Sequence, residues 1–177
     1  RYNRYGWGYS LPAAIGAYYA NPRTIISFNG DGGIQMNIQE LETIIYHRLP
    51  VKIFVINNGG YHSIRQTQKK FFGDRPLVGI GEDSGDLGFP DMEKLAWAYG
   101  FPYVKISTNS ELKDKVAETL AAEGPVICEV YVTHDQNFEP KSSGKKMPDG
   151  TIQSPPLEDL EPFLPEEEMD ENMIIPR

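Results

Sequence analysis

The stretch from Thr24 to Gly60 restricts the fold more than any other part of the chain. It opens with an apolar run, Thr24-Ile25-Ile26-Ser27-Phe28, that reads as a buried strand and passes directly into Asn29-Gly30-Asp31-Gly32-Gly33. A helix-period segment from Ile34 to about Arg48 follows, with Ile34, Ile38, Leu41 and Ile45 on one stripe, and Leu49-Pro50 stops it. A second apolar strand, Val51 to Ile56, then runs into Asn57-Asn58-Gly59-Gly60. Strand, tight turn, helix and strand make a βαβ unit. Its two strands are parallel and end at the same sheet edge.

That edge carries a specific chemistry. Glycines at a strand-to-helix turn let backbone N–H groups approach a phosphate, and the helix N-terminus favours the anion. Asp31 sits inside the same turn, where it repels a bare phosphate unless a cation stands between them. A Mg²⁺ site built from oxygen ligands resolves the conflict. The second strand delivers Asn58 to the same edge, so Asp31 and Asn58 are expected to converge on one hard cation.

The rest of the chain supports one α/β domain. Leu11, Ala14, Ile15 and Tyr18 have helical spacing after an aromatic, glycine-containing loop, with Ser10 as the expected cap and Asn21-Pro22 as the stop. Residues 61–72 read as a short helix or flap in which His62 and Arg65 reach whatever reacts beside the metal loop, and residues 73–89 read as a connecting loop. A helix capped by Asp91 runs to Tyr99, a strand spans Tyr103 to Ile106, and a helix opens at Ser110 with Leu112, Val116 and Leu120 inward. Val126 to Val132 is the last strand, and Cys128 within it reads as a core residue. The implied fold is a doubly wound, mostly parallel sheet with helices on both faces.

From about Asn137 the chain becomes Pro-rich and then acidic, which predicts an extended arm over 137–177 beside a domain over 1–136. The net charge of −8 excludes the electrostatics of nucleic-acid binding, and no apolar run has the length of a membrane span. A single cysteine excludes an intrachain disulfide framework, consistent with a cytoplasmic setting. The chain starts at Arg1 and enters a glycine-rich loop at once, which reads as a piece of something longer.

Gly30-Asp31-Gly32 and Asn57-Asn58, with 24 residues between Gly32 and Asn57, resemble the Gly-Asp-Gly and Asn-Asn signature of thiamine diphosphate enzymes. Gly8-Tyr9-Ser10-Leu11-Pro12-Ala13-Ala14-Ile15-Gly16-Ala17 and Pro50-Val51-Lys52-Ile53 extend the likeness to the C-terminal, diphosphate-binding domain of the acetolactate synthase-like branch, over roughly residues 4 to 135. The resemblance implies thiamine diphosphate and Mg²⁺ as cofactors, with Asp31 and Asn58 binding the metal by side-chain oxygens and Gly60 by its carbonyl. It implies backbone N–H groups of Gly32 and Gly33 on the diphosphate. Trp7 falls where the family wedges the cofactor with Met, Leu or Ile, and Tyr5 falls where a carbonyl meets the 4′-amino group. Tyr61 and His62, next to the metal loop, join the cofactor-binding set. Thr67 stands where branched-chain acetolactate synthases carry Trp.

The implied function is the diphosphate- and Mg²⁺-binding portion of a 2-oxo acid decarboxylase or carboligase, a lyase or transferase. Its activating glutamate belongs to a pyrimidine-binding domain of a partner chain, in a homodimer or homotetramer. No catalytic residue is then expected in this chain, and the chain alone is expected to be silent. Two other readings compete. A nucleotide-binding oxidoreductase needs a Gly-x-Gly-x-x-Gly spacing that Gly30-Asp31-Gly32-Gly33 lacks. A docking or assembly module would use the acidic arm, with the glycine turn and amide loop empty of ligand.

Overall fold

The computed structural model describes residues 7–73 and 75–174. It divides into two units, Arg1–His134 and Asp135–Arg177. The first is built on a four-stranded parallel sheet in the order β1-β2-β4-β3, with β1 Ile25–Gly30, β2 Val51–Asn57, β3 Tyr103–Ile106 and β4 Val126–Tyr131. Its helices are α1 Ser10–Ala20, α2 Glu40–Tyr46, α3 His62–Phe72, α4 Met92–Tyr99 and α5 Asn109–Ala121.

The period-2 alternation of the central strands sorts the core into two layers. Val51, Ile53 and Val55 of β2 and Ile127 of β4 join Leu11 and Ala14 of α1, Leu41 and Ile44 of α2, and Met92 and Ala96 of α4 in one cluster. Phe54, Cys128 and Ile106 form a second, against which Val116 of α5 packs. Adjacent residues of β2 therefore serve opposite clusters, and helices cover both faces, as the doubly wound expectation requires. Cys128 is fully buried, as its apolar flanks predict.

Local chemistry places the helix ends. Asp91 accepts from the Lys94 N–H at 3.0 Å to start α4, and Gly100 at φ +78° ends it, with Phe101 N–H on the Ala96 carbonyl at 2.8 Å. The Glu111 carboxylate reaches back to the N–H groups of Ser107 at 2.9 Å and Thr108 at 3.0 Å at the start of α5. Just past the other end of α5, buried Lys52 of β2 donates to the carbonyls of Ala122, the residue that ends the helix, and Gly124.

Four expectations are corrected. The helix from Ile34 to Arg48 is two pieces, a 3₁₀ turn at Gly33–Asn37 and then α2, because the chain leaves the glycine turn too tightly wound for α geometry. The strand read as buried is an edge strand, with Ile26 and Phe28 50% and 65% exposed on the face that α5 leaves open. Ser10 is the first residue of α1, and no side chain caps it. On α5 the inward residues are Val116 and Thr119, while Leu112 and Leu120 are exposed.

The second unit contains a two-stranded hairpin, β5 Lys145–Lys146 and β6 Ile152–Gln153, and a short helix, α6 Glu166–Asn172. Met147-Pro148-Asp149-Gly150 makes the hairpin turn, with Gly150 N–H on the Met147 carbonyl at 2.9 Å. Lys145 bonds the buried Asp159 carboxylate at 2.6 Å and lies 4.5 Å from the centre of the Phe163 ring. Among the described residues no helix is long and apolar enough to cross a membrane.

Candidate functional site

At the carboxyl ends of β1 and β2 the two halves of the motif meet. Asp31 leaves β1 and is 5% exposed, with its own N–H on the Ile56 carbonyl of β2 at 3.3 Å. Its Oδ1 accepts from Gly32 N–H at 2.9 Å and its Oδ2 from Gly60 N–H at 2.7 Å, which ties the glycine turn to the amide loop. Burial pushes the Asp31 carboxyl above the usual carboxylate range, against the lowering effect of those N–H groups.

Asn58 stands opposite. Its side-chain Oδ1 is buried with no hydrogen-bond partner, a costly state for an amide oxygen. Asp31 and Asn58 line one cleft of about 490 Å³, together with Asn57, Gly59 and Glu129. Both residues therefore border the same cleft, and the two side chains offer hard oxygen donors.

Gly60 is required by its surroundings. It adopts φ +131°, and a Cβ there would lie 2.2 Å from the Ile80 carbonyl oxygen. That carbonyl accepts the Tyr61 N–H at 2.8 Å, so the segment around Ile80 backs the amide loop at van der Waals distance. The Gly60 carbonyl accepts from His62 N–H at 2.9 Å and keeps a second lone pair.

Gly32 is pressed equally closely, since a Cβ there would lie 2.4 Å from Cε1 of Tyr61. The Tyr61 ring stacks on Trp7 at 4.7 Å and 11°, and meets Phe89 edge-on at 5.5 Å. The loop bearing Trp7 is pinned to the turn by Asn37 Nδ2, which donates to the Gly8 carbonyl at 2.8 Å. At Gly33 a Cβ would meet nothing within 4 Å. The structure thus brings Trp7, Asp31, Gly32, Asn58, Gly60 and Tyr61 together, whereas Tyr5 lies outside the described residues. His62 is buried against Arg65, with Nδ1 3.0 Å from Nη1, and does not appear in the cleft lining.

Sequence reasoning missed the floor of the cleft. Glu129 of β4 is 3% exposed; Oε1 accepts from Asn57 Nδ2 at 2.7 Å and Oε2 accepts from the Tyr103 hydroxyl. Asn57 Oδ1 in turn accepts from Gly59 N–H at 3.0 Å, so the carboxylate shapes the amide loop from below. Burial, followed by the Glu129 carboxylate, pushes the Tyr103 phenol far above its ordinary value. The available signal was a glutamate inside an otherwise apolar strand, Val126-Ile127-Cys128-Glu129-Val130, which demands buried partners.

A family model described as thiamine pyrophosphate enzyme, C-terminal TPP binding domain, matches residues 5–130. The chain is 39% identical over 134 residues to the acetolactate synthase large subunit of Cyanidium caldarium, a match covering 75% of this chain and 22% of that protein. It is 37% identical over 134 residues to the acetolactate synthase of Arthrospira platensis, with the same 75% and 22% coverage. With the probable chloroplastic acetolactate synthase 2 of Oryza sativa subsp. japonica it shares 35% over 138 residues, 75% of this chain and 21% of the relative. The chain spans about a fifth of the length of these curated relatives.

Proposed function

The chain belongs to the thiamine pyrophosphate enzyme C-terminal TPP-binding domain family, and from that premise we propose that it holds the diphosphate and Mg²⁺ of thiamine diphosphate within a 2-oxo acid decarboxylase or carboligase of the acetolactate synthase type. Thiamine diphosphate with Mg²⁺ is the cofactor pair that membership implies. The observation that carries the residue assignment is the buried, partnerless Oδ1 of Asn58 in the same cleft as the Asp31 carboxylate. An oxygen-only donor set of this kind suits Mg²⁺ and no soft metal.

In this reading Asp31 and Asn58 supply side-chain oxygens to the cation, and the Gly60 carbonyl supplies a third through its remaining lone pair. Gly33 opens the diphosphate cradle at the start of the 3₁₀ turn, while the Gly32 N–H orients Asp31. Trp7, stacked on Tyr61, presents an aromatic wall to the cofactor, and the resemblance implies that the Tyr5 carbonyl meets the 4′-amino group. His62 acts from behind the loop through Arg65. When bound, the cofactor supplies the electron sink for cleavage of a 2-oxo acid.

The proposal extends to the whole protein. Its substrate is a 2-oxo acid, its activating glutamate comes from the pyrimidine-binding domain of a partner chain, and its assembly is a homodimer or homotetramer. These elements are what the motif resemblance to the acetolactate synthase-like branch implies. A cytoplasmic setting rests on the lone, buried Cys128. The domain runs over 1–136, with the Pro-rich arm over 137–177.

Calorimetry on the full-length protein tests the reading. Thiamine diphosphate is expected to bind only with Mg²⁺ present, and Asp31→Ala to lose that Mg²⁺-dependent binding. Absence of binding by the wild-type protein overturns the proposal.

A further inference from the structure

Arg65 of α3 is 1% exposed, and all five of its N–H donors are placed on acceptors. Nε donates to Asp83 Oδ2 at 2.9 Å and Nη2 to Asp83 Oδ1 at 3.2 Å, a bidentate pair. The second Nη2 hydrogen goes to the Gly59 carbonyl at 3.2 Å. Nη1 spans the Asn58 carbonyl at 3.5 Å and His62 Nδ1 at 3.0 Å. A guanidinium cannot accept, so His62 Nδ1 is the acceptor there.

The geometry points to Arg65 as the positioning residue of the metal loop, an inference that rests on the reading of Asp31, Asn58 and Gly60 as the Mg²⁺ site. Its planar fork grips the backbone carbonyls of Asn58 and Gly59. That leaves the Asn58 side-chain oxygen turned away from every protein donor and available to a cation. The same guanidinium is anchored by Asp83, which lies in the 3₁₀ turn Glu82–Ser84 just after Ile80 and Gly81, the residues packed against Gly60.

The loop is therefore clamped between α3 and the 80–84 segment. The Arg65 charge is matched by Asp83, so the clamp adds geometry beside the cation without adding net repulsion. Lysine cannot substitute, because an ammonium has three donors and no planar fork. Groups that orient metal ligands typically govern affinity by 10- to 100-fold.

Mn²⁺ binding to the full-length protein in the presence of thiamine diphosphate, read by electron paramagnetic resonance, tests this. Arg65→Met is expected to weaken Mn²⁺ by at least about tenfold. Arg65→Lys is expected to fall between Arg65→Met and wild type, and Asp83→Asn to weaken Mn²⁺ several-fold. Wild-type Mn²⁺ affinity in a folded Arg65→Met protein overturns the inference. If that variant does not fold, wild-type affinity in Asp83→Asn overturns it instead. A wild-type protein that binds no Mn²⁺ defeats the metal-site reading itself, which distinguishes the two failures.

Discussion

Gly60→Ala is the sharpest perturbation of the site that leaves every ligand side chain in place. The new methyl would start 2.2 Å from the Ile80 oxygen and 3.0 Å from the Ile80 carbonyl carbon, so one segment must move by about 1 Å to reach ordinary contact. Moving Ile80 breaks its bond to the Tyr61 N–H, worth about 0.5–1.5 kcal/mol. Moving Gly60 breaks its 2.7 Å bond to the Asp31 carboxylate, worth about 1.5–3 kcal/mol. Alanine at φ +131° adds about 1–3 kcal/mol of backbone strain. Since either segment can yield, the cheaper route through Ile80 sets the cost at about 1.5–4.5 kcal/mol, against the 5–15 kcal/mol typical of a domain. Gly59→Ala is the control: its φ of +71° is also left-handed, but nothing lies within 4 Å, so only the backbone term of about 1–2 kcal/mol applies. Urea unfolding of both variants, followed by circular dichroism, compares the midpoints at equal slope. Equal costs for the two alanines would refute the packing of the Ile80 segment on the loop at Gly60.

Three further outcomes are expected. Glu129→Gln removes the negative charge beside Tyr103 while burial remains, so an ultraviolet titration should show Tyr103 ionising at lower pH than in the wild type; an unchanged profile would contradict the contact. Lys52→Met strips two carbonyls at the end of α5 of a charged donor and should cost about 1.5–3 kcal/mol in urea unfolding. Glu111, held down to about 2 by Lys115 and by N–H groups at the start of α5, has a folded value below its ordinary 4.5. Its contribution is therefore full above 4.5 and lost as the pH falls toward about 2. In acid titrations of stability, Glu111→Gln should flatten that loss; a wild-type slope would show that the carboxylate is not engaged.

The parts of the fold set by local pattern were legible in the sequence. The Asp91 and Gly100 boundaries of α4 and the strand at Tyr103–Ile106 each follow from one or two residues with a fixed conformational preference. What escaped depended on partners distant in sequence. Apolar Ile26 and Phe28 look buried until strand order makes β1 an edge. Leu112 and Leu120 have helical spacing, yet the rotation of α5 on the sheet selects Val116 and Thr119. Of the site, Asp31 and Asn58 were readable because both end strands of one βαβ unit. Glu129 and Asp83 were not, because Glu129 meets Asn57 across 72 residues and Asp83 meets Arg65 across 18.

The residues that hold the loop share a property that explains how it works. Glu129 holds Asn57 from the sheet, Arg65 holds the carbonyls of Asn58 and Gly59 from α3, and Ile80 blocks any side chain at Gly60. With its backbone fixed from three directions, the loop has little freedom to turn the Asn58 amide oxygen toward a protein donor, and burial denies it water. The Asp31 carboxylate faces a similar conflict, because burial raises its proton affinity and two backbone N–H groups offset only part of that cost. Each unfavourable term is one that a cation between the two oxygens removes. Under the proposed function, relief of these two terms would contribute to the binding of Mg²⁺.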